Sequence, residues 1–235
     1  MNIKLNRNQL KYLVIVAMII DHIAWKFVPT LSLLGQGMHL IGRLTGPTMA
    51  FMMAEGYSHT KNVKKYAIRL GIFALVSWPP FCIFEDKQWP SANFSVIYTL
   101  FLGLITIWIW DKADIKKGVK IVLVIVISIL SFWGDWGVLD VILPLFLFIY
   151  RDDPDKKWKA FFIIIAVVVL FAQLFVIQSE HPFIQVFQFG AFLVIPLLKY
   201  CYNGESGSKH PFHKWFFYVF YPAHMLILAF IKMKI

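Results

Sequence analysis

The chain has 235 residues, 59% of them hydrophobic and 15% charged, with a formal net charge of +10 and a mean hydropathy of +0.67. A soluble domain carries about 45–50% apolar and about 25% charged residues, so this excess is too large for one water-surrounded core and belongs to a polytopic membrane protein. The basic balance excludes nucleic acid as the natural partner, because the Lys and Arg residues fall in short loops between apolar runs and read as a topology signal.

Apolar runs of about 17–20 residues predict an all-α polytopic membrane protein with about nine transmembrane helices in a single helical bundle. In chain order the expected spans are 10–28, 40–57, 67–84, 94–110, 118–133, 137–150, 159–177, 184–199 and 214–232. The sixth and eighth are short and suit a tilted or partly interfacial course. The N-terminal run is basic, then apolar, without a small-residue cleavage site, so it reads as a retained first span. No loop is long enough to fold alone, so residues 1–235 read as one domain.

Charge fixes the orientation. With the N-terminus in the cytoplasm, the inner segments hold Lys4, Arg7 and Lys11; Lys61, Lys64, Lys65 and Arg69; Lys112, Lys116, Lys117 and Lys120; Arg151, Lys156, Lys157 and Lys159; and Lys199, Lys209 and Lys214. Of the 23 basic residues this leaves only Lys26, Arg43, Lys87, Lys232 and Lys234. The positive-inside rule thus gives a multi-pass protein of the cell membrane with a cytoplasmic N-terminus. Cys82 and Cys201 then lie on opposite sides, which argues against an intrachain disulfide.

Polar residues within the spans stand out next. Asp21 and His22 sit in "VAMIIDHIAWKF", roughly 15 Å into the first span at 1.5 Å per residue. An acid at that depth costs roughly 2.5–3.5 kcal/mol on insertion scales, so such groups face a protein interior or a wet cavity. Neighbouring residues on a helix point about 100° apart, so Asp21 and His22 each need a partner on another helix. Arg43 enters near the outer end of the second span and reads either as a site residue or as an anchor snorkelling outward. Glu55 and His59 share a helix face if the helix continues through Gly56. The stretch "HTKNVKKY" offers His59, Thr60, Lys61, Lys64 and Lys65, with Arg69 beyond, as an anion clamp or as a topology signal alone. Asp140, near "WGDWG", reads as interfacial. In "FYPAH", Pro222 predicts a kink beside Tyr221 and His224. The seven His and two Cys show no metal-ligand spacing.

The segments "MIIDHIA", "IGRLTGPTMAFMMAEGYSHTKNVKKYAIRL" and "FYPAHMLIL" resemble the TraX family, whose founding member is associated with N-acetylation of conjugative pilin. The resemblance covers the first 85 residues well, the 93–103 stretch more loosely and the last span clearly. Asn93 stands further from Thr99 than the family pattern leads one to expect. The family is similar to a wider group of transmembrane acyltransferases. The resemblance therefore implies an acetyltransferase that takes its acyl group from cytoplasmic acetyl-CoA. His22 is then the first candidate for general base, Asp21 shapes its field, and His224 is the rival base. Arg43 or Tyr221 could face the oxyanion, with Glu55 near the substrate. His59, Thr60, Lys61, Lys64, Lys65 and Arg69 could clamp the coenzyme phosphates. Membrane lipid and acyl-CoA are the implied partners. The acceptor stays open between a pilin-like or surface protein, a sugar and a small metabolite. Two other classes compete: a proton-coupled transporter using Asp21, Glu55 and His224 as relay sites, and an assembly scaffold without chemistry.

Overall fold

The structure, a computed structural model, describes residues 4–234, the side chain of Lys214 excepted. Among the described residues the fold is all-helical, and strand-like pairing is confined to two isolated bridges, Leu5 with Tyr202 and Phe94 with Gly134.

Helix α1 (Arg7–Phe27) opens with a capping box. The Gln9 N–H donates to the Asn6 side chain and the Asn6 N–H donates to the Gln9 side chain, each at 3.0 Å. Two otherwise orphaned donors of the first turn are satisfied this way. Helix α2 (Leu33–Gly42) starts from Ser32, whose hydroxyl accepts the Gly35 N–H at 3.0 Å. Helix α3 (Thr45–His59) follows after a break.

That break changes the second expected span. Residues 40–57 are not one helix but the end of α2 and most of α3, parted at Arg43 and Leu44. The cause is Pro47. A proline ring clashes with the carbonyl four residues earlier, here that of Arg43, and is tolerated only in a first helical turn. The interruption leaves Arg43 at the C-cap of α2.

Downstream lie α4 (Val63–Phe84), α5 (Val96–Lys112), α6 (Lys117–Leu130), α7 (Gly137–Ile149) and α8 (Pro154–Val176). The eighth expected span, 184–199, is not a regular helix. It runs as 3-10 turns over Val186–Leu193 and closes in a π-turn at Leu197–Cys201. Pro196 lacks the N–H that an α-helix would direct at the Phe192 carbonyl. A C-terminal helix, Pro211–Lys234, runs unbroken through Pro222.

Among the described residues three helices are long and apolar enough to cross a membrane: α4, α8 and the C-terminal helix. Helices α2, α3, α5, α6 and α7 have 10, 15, 17, 14 and 13 residues, short of the ~20 of a typical crossing. Exposed apolar side chains recur at helical spacing, as with Ile68, Ile72, Leu75 and Val76 on α4. Contiguous faces of this kind are foreign to a water-exposed surface and fit contact with lipid.

The chain divides into two compact units, Met1–Met49 with Phe162–Ile235, and Ala50–Phe161. In the first unit α1 packs on α2 and on the C-terminal helix, and α2 packs on the Val186–Leu193 turns. The buried stripe of α1 runs through Leu10, Val14, Ala17, Met18, Asp21 and Ala24, so Asp21 lies in register with the core. Two glycines permit the close approaches. A Cβ at Gly42 would overlap the Asp21 side chain, and one at Gly190 would overlap the Leu40 carbonyl. Gly42→Ala is therefore expected to cost about 1–3 kcal/mol by overpacking. Thermal unfolding in detergent checks this, with Gly37→Ala, where a Cβ meets nothing within 4 Å, as the control.

In the second unit α5 packs against α4 and α7 around Leu102, Ile127 and Val141. Asp140 is wholly buried on α7, with Oδ2 accepting from the Thr99 hydroxyl at 2.8 Å. Helix α7 begins at Gly137, and its first turn packs Asp140 against Thr99 of α5.

Candidate functional site

The polar residues of the first unit gather around α1. Asp21 turns toward α2. Its Oδ1 accepts from His39 Nδ1 at 2.7 Å and its Oδ2 accepts from Arg43 Nη2 at 2.6 Å. His39 and Arg43 are four residues apart, so both project from one face of α2. The Arg43 guanidinium also lies over the Phe187 ring at 5.2 Å. Arg43 is buried, which removes the reading of it as an outward-snorkelling anchor.

His22 turns the other way, toward the C-terminal helix. Its Nδ1 lies 2.7 Å from His224 Nε2. The two rings are parallel within 2° with centroids 4.9 Å apart. With so short a nitrogen separation, this spacing places them nearly edge to edge, so the hydrogen bond lies close to both ring planes. His224 Nδ1 sits 3.0 Å from the Phe220 carbonyl oxygen.

That carbonyl settles the proton order. A carbonyl oxygen only accepts, so His224 Nδ1 carries a hydrogen. In a neutral ring the other nitrogen is then bare. His224 Nε2 therefore accepts from His22 Nδ1–H, and the lone pair of the couple resides on His22 Nε2. The Tyr221 ring meets His224 edge on, with centroids 5.7 Å apart, and both residues are buried.

The structure thus brings Asp21, His22, Arg43, Tyr221 and His224 into one buried neighbourhood within one unit. It adds His39, absent from the sequence reading and 0% exposed. His39 lies one residue before the expected start of the second span, where a hydropathy window treats it as loop. The signal that could have found it is its four-residue spacing to Arg43 in "HLIGR".

The remaining candidates belong to the second unit. Helix α3 continues through Gly56 to His59, so Glu55, partly buried, and His59, exposed, lie one turn apart on one face. Thr60 accepts from the Asn62 N–H at 3.4 Å. Asn62 caps α4 by accepting the Lys65 N–H at 2.8 Å. Lys61, Lys64 and Lys65 are exposed around this helix start, and the Arg69 guanidinium lies over the Tyr66 ring at 5.3 Å. A helix N-terminus fringed by lysines favours anions.

The probable fimbrial assembly protein FimC, serogroup H1, of Dichelobacter nodosus is 29% identical to this chain over 240 residues, covering 99% of this chain and 98% of that protein. No solved structure matches the chain. The TraX protein family model matches residues 6–232, a range that takes in α1, α2 and nearly all of the C-terminal helix. On that match, which spans every residue of the candidate site, the chain belongs to the TraX family.

Proposed function

We propose that the chain is an integral-membrane acetyltransferase that moves an acetyl group from cytoplasmic acetyl-CoA to an acceptor in or across the membrane. One observation carries the reading: a buried imidazole pair, with His22 Nδ1 2.7 Å from His224 Nε2 and His224 Nδ1 in turn on the Phe220 carbonyl. A buried, hydrogen-bonded imidazole couple is an arrangement suited to taking a proton.

On this reading the acceptor amine or hydroxyl attacks the thioester carbonyl and gives its proton to His22 Nε2. The new C–N or C–O bond forms, and the carbonyl oxygen becomes an oxyanion that Arg43 or Tyr221 stabilises by donation. The C–S bond then breaks, and the departing sulfur takes the proton back from His22. While His22 holds that proton, its Nδ1–H can pass to His224 Nε2, so the cation is shared between two rings and rests against the Phe220 carbonyl. Asp21 adds a fixed negative charge beside the pair. Lys61, Lys64, Lys65 and Arg69, with His59 and Thr60, are assigned the phosphate clamp, and Glu55 is assigned a substrate role.

The same reading takes residues 1–235 as one membrane domain of about nine spans in the cell membrane, with its N-terminus in the cytoplasm. The relative's name as a fimbrial assembly protein supports a pilin-like subunit as the acceptor class. Acetyl-CoA binding and labelled-acetyl transfer by purified protein in lipid nanodiscs test the proposal. Wild type is expected to bind the coenzyme. Replacing Lys64, Lys65 and Arg69 together by Ala is expected to weaken binding about tenfold or more and to flatten its dependence on salt. A proton-coupled transporter or a scaffold would ignore the coenzyme, and that outcome sinks the acetyltransferase reading.

A further inference from the structure

We propose that His39 is a positioning residue: its Nδ1–H, acting with Arg43, clamps the Asp21 carboxylate in one plane beside the His22–His224 pair. The catalytic consequence rests on the acetyltransferase reading above; the clamp itself does not.

The proton order again follows from the acceptor. Asp21 is paired with the Arg43 guanidinium through Oδ2 at 2.6 Å, and an ionised carboxylate only accepts. The 2.7 Å contact between Oδ1 and His39 Nδ1 therefore has its hydrogen on the imidazole. A carboxylate held through one oxygen can still swing about its Cβ–Cγ bond. Held through both, by two donors one helical turn apart on α2, it cannot. Asp21 is thus committed at both oxygens, which suits a fixed charge and not a proton carrier.

The surroundings of His39 point to action through Asp21 and not on substrate. The ring is 0% exposed. It packs on Trp25 with centroids 4.2 Å apart and on Phe187 at 5.0 Å. Phe187 is itself fastened, its N–H donating to the Gln36 side chain at 3.0 Å. Gln36 stands three residues before His39 on α2 and also donates to the Ile184 carbonyl at 3.1 Å. His39 Nε2 is buried and has no hydrogen-bond partner among the described residues. An imidazole walled in by two aromatic rings offers an acceptor no approach, whereas its Nδ1 face is engaged.

Three substitutions separate the two nitrogens. His39→Asn places an amide N–H near the former Nδ1, His39→Gln places one near the former Nε2, and His39→Leu removes both. Turnover of labelled acetyl-CoA in nanodiscs is expected to keep kcat within about threefold for His39→Asn, and to fall on the order of tenfold to a hundredfold for His39→Gln and His39→Leu. The KM for acetyl-CoA is expected to stay within about twofold in all three, because the phosphate clamp lies on other residues. A role for ring volume alone would not favour Asn over Gln. Equal loss in all three variants, or equal retention, overturns the proposal. Histidine nitrogen NMR reads the bond without any turnover. A hydrogen on Nδ1 of His39 whose resonance moves in Asp21→Asn supports the clamp, and a hydrogen confined to Nε2 overturns it. A wild type that fails to turn over acetyl-CoA but shows the Nδ1 hydrogen would refute the acetyltransferase reading and leave the clamp standing.

Discussion

His22→Ala and His224→Ala are each expected to lower acetyl transfer by about 10²–10⁴-fold, the contribution of a positioned general base, while the protein still inserts and binds acetyl-CoA. The two losses should differ. On the proposed mechanism, His22→Ala removes the nitrogen that takes the proton. His224→Ala leaves that nitrogen in place but strips the partner from His22 Nδ1 and the second ring over which charge would be shared. The double variant is expected to be no worse than His22→Ala alone, because residues acting as one unit do not add. Single-turnover transfer of labelled acetyl, beside coenzyme binding, measures all three. Wild-type rates in both single variants would remove the pair from the chemistry.

The second large effect concerns folding. Asp21→Leu is expected to destabilise the protein by about 3–5 kcal/mol, since it leaves the buried Arg43 cation without its carboxylate. Arg43→Leu should cost a similar amount for the mirror reason. The double variant Asp21→Leu with Arg43→Leu is expected to recover a good part of the loss, as apolar replacement of a whole buried ion pair often does. Thermal unfolding in detergent, read by intrinsic tryptophan fluorescence, gives the three values. A double variant as unstable as the sum of the singles would show that Asp21 and Arg43 act independently, against their 2.6 Å contact.

The ends of α1, α4, α8 and the C-terminal helix lie within about five residues of the spans 10–28, 67–84, 159–177 and 214–232. There an apolar run and the helix that carries it have nearly the same length. The break at Arg43 was less legible. A hydropathy average over 40–57 does not register that Pro47 forbids a helix through the Arg43 carbonyl. The same averaging placed His39 outside the second span and hid its spacing to Arg43. The 184–199 run has the apolar content of a span but is interrupted by Pro196, and its Gly190 is pressed against Leu40. For the candidate site, the sequence marked Asp21, His22, Arg43 and His224 because polar groups are costly within apolar runs. It could not assign their partners. His22 meets His224 across 202 residues of chain, and Asp21 meets His39 through a helix packing that only the folded chain defines. Asp140 is a further case: its tryptophan neighbours speak only to depth, and the contact of its α7 turn with Thr99 is defined by the folded chain.

The two adjacent polar residues of α1 bond in opposite directions, Asp21 to α2 and His22 to the C-terminal helix. Together they act as a key with two teeth cut a residue apart. Spinning α1 about its long axis, or sliding it by one residue, would shear both contacts at once. Breathing motions of this unit must therefore leave the azimuth of α1 untouched and come from segments not pinned in this way.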